Sequence, residues 1–225
     1  PWWGFLGALG GGWLGRGGGP STTASRSSAG IFERQAPSLG APVQGMDRAF
    51  LLRTPYGYQV DPALLGPLVD ANPGATWLVS NEPDSIWQDD LPPGEYARIY
   101  HNIYLFLKSR DASARVAAGG IVQPTPLRLQ YLDLVLAAYR ARYGHDLPAD
   151  LWHIHNAILN EVSCSYDPTD CWGAQIPPGI DAVVGVRREL DDNDNLDIFQ
   201  AQIWAFRQWL AGRGYGGLPV VLSEF

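Results

Sequence analysis

The chain has 225 residues, 46% hydrophobic and 17% charged, which suits one globular domain with a sizeable core. A net charge of −7 and a pI near 5.0 leave no basic stripe for nucleic acid. No apolar run reaches the roughly eighteen residues that would suggest a membrane span, so the composition points to a soluble protein with a neutral partner.

The first thirty residues are rich in glycine. A first strand is expected near 12–15, followed by a loop over 21–28. Residues 48–53 form a candidate strand, broken by Thr54-Pro55-Tyr56-Gly57. From Asp61 the pattern becomes regular. Asp61-Pro62 supplies an N-cap acceptor and a proline at the first helical position, and Leu64, Leu65 and Leu68 follow at helical spacing up to Asn72-Pro73-Gly74. The run Trp77-Leu78-Val79 reads as a strand buried on both faces. Tyr96, Ile99, Tyr100, Ile103, Phe106 and Leu107 mark an amphipathic helix over about 93–108. A strand over 115–122, a helix marked by Leu132, Val135, Leu136 and Tyr139, and a strand over 151–155 come next. Phe199, Ile203, Phe206 and Leu210 mark the helix before a final strand at 220–224.

Alternation of helix and strand demands parallel strands joined by right-handed crossovers, which a closed barrel or a doubly wound open sheet would satisfy. Chemistry at the ends of several strands favours the barrel. All 225 residues read as one domain, with no internal repeat and no linker.

Two apolar runs end in a glutamate. Strand alternation puts Leu78, Ser80 and Glu82 on one face, and Val220, Leu222 and Glu224 on one face of another strand. Each carboxylate then sits at the C-terminal end of its strand. Two carboxylates at one barrel mouth are the equipment of a glycosidase.

The segment Trp77-Leu78-Val79-Ser80-Asn81-Glu82-Pro83-Asp84 resembles the fourth-strand Asn-Glu-Pro signature of the large glycoside hydrolase clan with the (β/α)8 TIM barrel. Val220-Val221-Leu222-Ser223-Glu224-Phe225 is similar to that clan's seventh-strand ending, and Leu151-Trp152-His153-Ile154-His155 to its sixth strand. Within the clan, the Asn-Glu-Pro-Asp run is similar to the Asl1-like β-1,3-glucanases. The resemblance covers about 61–225 and implies Glu82 as acid/base, Glu224 as nucleophile, and Asn81 as a partner of the sugar 2-hydroxyl. Ser80 stands where relatives often carry glycine; serine is small, so little effect is expected. The clan barrel has an eighth strand and helix after the nucleophile strand, so the chain is expected to be an incomplete, open barrel cut from a longer protein at both ends.

Other residues have two readings each. His155 at the strand end suits a neutral donor to substrate or to Glu224, and His153, one layer deeper, would line the substrate cleft or serve as an interior residue. This i, i+2 pair lacks a third ligand, so neither metal nor cofactor is expected. Gln123 and Thr125, just past their strand, would line the cleft or merely make the loop polar. Trp87, in the loop after Glu82, would stack on a sugar or pack over the rim; Trp13 has the same two readings. Cys164 and Cys171 lie in one polar loop, and a local disulfide there goes with export, which slightly favours a secreted or cell-surface location. The acidic run Asp191–Asp197 lacks the glycine and glutamate of a calcium loop and is expected to serve helix capping.

The expected activity is hydrolysis of a β-linked glycan or glycoside with retention of configuration. The alternatives are a non-catalytic carbohydrate-binding barrel, or a doubly wound protein whose glutamates never meet.

Overall fold

A computed structural model describes residues 49–225. The expected strand near 12–15, the loop over 21–28 and Trp13 lie outside the described residues. In chain order come β1 (Ala49–Leu52), α1 (Pro62–Ala71), β2 (Thr76–Val79), α2 (Pro93–Arg110), β3 (Arg115–Ile121), α3 (Pro126–Tyr143), β4 (Leu151–His155), a short 3-10 turn (Leu190–Asp194), α4 (Leu196–Ala211) and β5 (Val220–Glu224).

All strand pairs are parallel, and the sheet order is β1-β2-β3-β4-β5. A doubly wound sheet reverses its strand order at a switch point. This sheet has no such reversal and curls as a five-stranded half-barrel.

Packing agrees with that reading. Leu78, Ala117 and Leu151, with Leu51 and Val221, make a small cluster on one face of the sheet. Their neighbours Phe50, Trp77, Val79, Val116, Ala118, Trp152 and Ile154 belong to the large core shared with the helices. The helices therefore cover one face, and the other is the concave interior.

Local chemistry sets the elements. The Asp61 carboxylate accepts from the amides of Ala63 and Leu64, capping α1 ahead of Pro62. That helix buries Leu65, Leu68 and Val69, whereas Leu64 remains exposed. On α2, Tyr96, Ile99, Tyr100, Ile103 and Leu107 form the buried stripe. Gly144 closes α3 in the left-handed region, where a Cβ is costly. The cap of α4 is the neutral Asn195, which accepts from the amides of Asp197 and Ile198, and of the acidic run Asp197 lies in the first turn.

Candidate active site

β2 ends at Val79, and the chain then leaves extended geometry: Ser80 has φ 71° and Glu82 φ 48°. Glu82 is thus carried on a strained turn and not by strand alternation. Non-glycine residues held in this region cost about 1–3 kcal/mol each and persist where their surroundings enforce them. Here the surroundings are hydrogen bonds. The Glu82 amide donates to Gly120 O at 2.8 Å, the Ser80 amide to Leu52 O at 2.9 Å, and the Asn81 amide to Asp89 Oδ2 at 2.9 Å. The Ser80 hydroxyl is buried against Thr54 Oγ1. Its backbone conformation, not its size, explains why glycine suits this position.

Two bulges complete the site. β3 slips against β4 between Gly119 and Ile121. A Cβ on Gly120, at φ 71°, would lie 2.8 Å from the His153 ring and 2.8 Å from Ser80 O. The glycine therefore makes room for the His153 ring and for the turn that carries Glu82. The second slip lies between Ile154 and His155, so that Ile154 pairs with Leu222 but His155 pairs with Glu224. Val220 and Leu222 pack on the helix-side core. The expectation that Glu224 shares their face is overturned, because the extra residue turns its side chain to the His155 face.

His155 stands between the two glutamates. Its Nδ1 is 3.0 Å from Glu82 Oε1, and its Nε2 is 3.6 Å from Glu224 Oε1, beyond hydrogen-bond range. One oxygen of each carboxylate and one ring nitrogen of His155 all lie within 4.8 Å of one another. His155 is nearly enclosed, whereas the Glu82 and Glu224 side chains are 15% and 34% exposed. Burial pushes the Glu224 carboxyl above its ordinary pKa; His155 and Arg53 pull it down, and Glu82 pushes it further up. The trio also has metal-ligand chemistry, with three residues grouped among the described residues, and Nδ1 already faces Glu82.

His153 does not join this trio. Its Nδ1 lies 3.3 Å from Ser223 Oγ and its Nε2 3.2 Å from Val79 O, and burial lowers its pKa to about 3. It is a neutral interior residue, so a place at the substrate is corrected for His153. Gln123 is corrected likewise: it is fully buried, with its amide nitrogen bonded to Leu159 O and Glu161 Oε1. Thr125 donates to Glu161 from a buried position. Asn81 is buried, and its side-chain nitrogen donates to Gln88 Oε1 at 3.3 Å. Trp87, 53% exposed, is on the same loop.

The sequence reading missed the charged supports beneath. Arg128 is fully buried and uses all of its donor groups. Nε reaches Glu161 at 2.8 Å, Nη1 reaches the carboxylate and carbonyl of Asp84, and Nη2 reaches Ala174 O and Gln175 O. Two carboxylates face one cation. Burial lowers the Arg128 pKa, but Asp84 and Glu161 more than offset it and hold it raised. Burial pushes Asp84 up against the pull of Arg128. On the other side, Asp89 gathers Arg53 Nε, the Thr54 amide and the Asn81 amide. Cys164 and Cys171 are joined by a disulfide, and Gln175 ties their loop to Arg128.

No family model matches the chain, and no curated protein is similar to it. Solved structures are similar at low identity. A family GH128 subgroup II endo-β-1,3-glucanase from Sorangium cellulosum is 20% identical, over 79% of this chain and 56% of that one, with a TM-score of 0.41. A subgroup III curdlan-specific exo-β-1,3-glucanase from Blastomyces gilchristii, in complex with glucose, is 17% identical over 81% and 61%, with a TM-score of 0.47. A subgroup II endo-β-1,3-glucanase from Pseudomonas viridiflava is 18% identical over 78% and 68%, with a TM-score of 0.42. The chain thus spans 56% and 61% of the first two.

Proposed function

We propose that the chain carries the catalytic centre of a retaining glycoside hydrolase acting on a β-linked glucan, within a (β/α)8-type barrel. The observation that supports it is the approach of Glu82 and Glu224 to within 4.8 Å, oxygen to oxygen, around His155. Retaining glycosidases hold their carboxyls about 5–5.5 Å apart, and inverting ones about 6.5–9.5 Å.

In this reading the Glu224 carboxylate attacks the anomeric carbon and forms an ester bond to it. The glycosidic bond breaks, and the departing oxygen takes its proton from Glu82. Water then attacks the same carbon, gives a proton to Glu82 and releases Glu224. His155 fixes the Glu82 carboxyl through Nδ1. Asn81, with its nitrogen on Gln88, keeps Oδ1 for the sugar 2-hydroxyl. Trp87 offers an exposed ring for stacking. The Asn-Glu-Pro resemblance assigns the two roles this way round. The raised Glu224 carboxyl favours the reverse, with Glu224 as acid and Glu82 as nucleophile. The Cys164–Cys171 bridge suits an exported protein.

β-1,3-glucans are named for the similar structures and are the first substrates to assay. Proton NMR of the first-formed product should show the β anomer before mutarotation. An initial α anomer would mean inversion, and no product from any β-glucan would favour a binding role.

A further inference from the structure

His155 carries an atom that the catalytic reading leaves unused. The residue is only 2% exposed, and its Nδ1 lies 3.0 Å from Glu82 Oε1. Nε2 is buried and has no hydrogen-bond partner. It faces Glu224 Oε1 at 3.6 Å, too far for a hydrogen bond. An ionised Glu82 can only accept, so it takes the proton on Nδ1 and leaves Nε2 as the bare ring nitrogen. Two electron-pair donors then face each other, and what matches them is a positive centre between them.

The spacing suits a metal ion. Zinc stands about 2.0–2.1 Å from a histidine nitrogen and about 2.0–2.2 Å from a carboxylate oxygen, so two such ligands at a tetrahedral angle are about 3.4 Å apart. Glu82 supplies the rest. Its carboxylate orients the ring from behind, as partners of metal-binding histidines commonly do. It also lies within 4.8 Å of the Glu224 carboxylate, oxygen to oxygen, a gap that one metal-bound water spans. Two ionised carboxylates balance a dication. The Glu82 and Glu224 side chains are partly exposed, so a cation can enter from the cleft and keep water ligands. Imidazole suits zinc and its transition-metal neighbours, whereas magnesium and calcium favour all-oxygen sets.

We infer that Glu82, His155 and Glu224 form a binding site for a divalent cation of the zinc type, with His155 Nε2 and Glu224 Oε1 as direct ligands and Glu82 holding the ring. The third donor that the His153–His155 pair lacks along its own strand thus comes from distant segments. The site itself does not need the proposed function. Its consequence rests on that reading, because a cation there engages the catalytic carboxylates and zinc then competes with glucan.

The test is calorimetric titration of the full chain with zinc chloride, joined to NMR of the histidine ring nitrogens in the nitrogen-labelled chain. Zinc should bind saturably and move His155 Nε2, and magnesium chloride at the same concentrations should do neither. The chain has four histidines, and both cysteines are in the disulfide. His101 and His145 pack on Tyr139, away from the trio, and serve as internal controls. Glu82→Gln should weaken zinc binding about 10–100-fold, the usual effect of losing such an outer partner. His155→Gln and Glu224→Gln, each removing a direct ligand, should weaken it at least as much, with circular dichroism confirming that each variant is folded. No saturable binding, equal binding of magnesium, or unchanged affinity in the folded variants with shifts at His101 or His145 would overturn the inference. Glucan hydrolysis is followed in the same samples. Zinc bound at His155 with hydrolysis unaffected would contradict the catalytic reading and leave the metal site standing.

Discussion

At the scale of single residues, the proposed function rests on how His155 stands between two carboxylates. A lone carboxylate beside an imidazole is an ordinary pair; here a second one lies on the far side of the same ring, and the nearby Glu82 charge adds to the burial that pushes Glu224 up. If Glu82 supplies the proton to the departing oxygen, Glu82→Gln should cut turnover of natural glucans at least a hundredfold, within the range usual for acid catalysis. Turnover of aryl glycosides with activated leaving groups, which need no proton, should fall far less. Steady-state rates across a series of leaving groups check this, and an equal loss on all of them would remove Glu82 from that role. Neither Asn81 nor Trp87 contradicts its expected place. Gln123 does, because a polar residue just past a strand can serve the interior as readily as the cleft.

At the scale of elements, both glutamates reach the cleft through irregularities and not through regular strands. The Gly119–Gly120 bulge admits the His153 ring and receives the Glu82 amide. Gly120→Ala combines a left-handed φ with two contacts at 2.8 Å, one of them to backbone. It should destabilise the fold by about 2–4 kcal/mol and lower activity through a displaced Glu82, as denaturant titration and kinetics on the same variant would show. A loss under about 0.5 kcal/mol would mean that the bulge is not a tight fit. These irregularities also mark how far sequence reasoning reaches. Apolar stripes such as Tyr96–Ile99–Ile103 and the buried runs of β2 and β4 were legible because burial follows backbone period. The facing of Glu224 was not, because one extra residue in β5 reverses the side on which everything after it lies. Arg128 was hidden because it occupies the helical register of Leu132, Val135 and Tyr139, where a core residue is expected. A charge in a buried stripe is the signal that could have found it, together with the acids Asp84 and Glu161.

For the molecule as a whole, buried ionisable groups tie stability to pH. His153 falls from 6.5 to about 3 on folding, because burial disfavours its charged form. Between those values the unfolded chain takes up a proton that the folded chain refuses, so stability falls as pH drops through that window. Asp84 and Glu224, both raised, act in the opposite direction as pH falls through their raised values toward the ordinary carboxylate range. Comparing wild type with His153→Gln isolates the histidine. Thermal unfolding from pH 7 to pH 4 should show a smaller acid-induced fall in Tm for the variant. Parallel curves would mean that His153 is charged or solvated in the folded protein. The described sheet is a half-barrel whose outer strands, β1 and β5, each pair on one side only among the described residues.

The central claim is that Glu82 and Glu224 act on one sugar carbon. Trapping the chain with a 2-deoxy-2-fluoro-β-glucosyl donor, followed by peptide mass spectrometry, tests it most directly. The account predicts a covalent sugar on the peptide that contains Glu224. A sugar on Glu82 would exchange the two roles, whereas turnover of the donor with neither glutamate labelled would contradict the account.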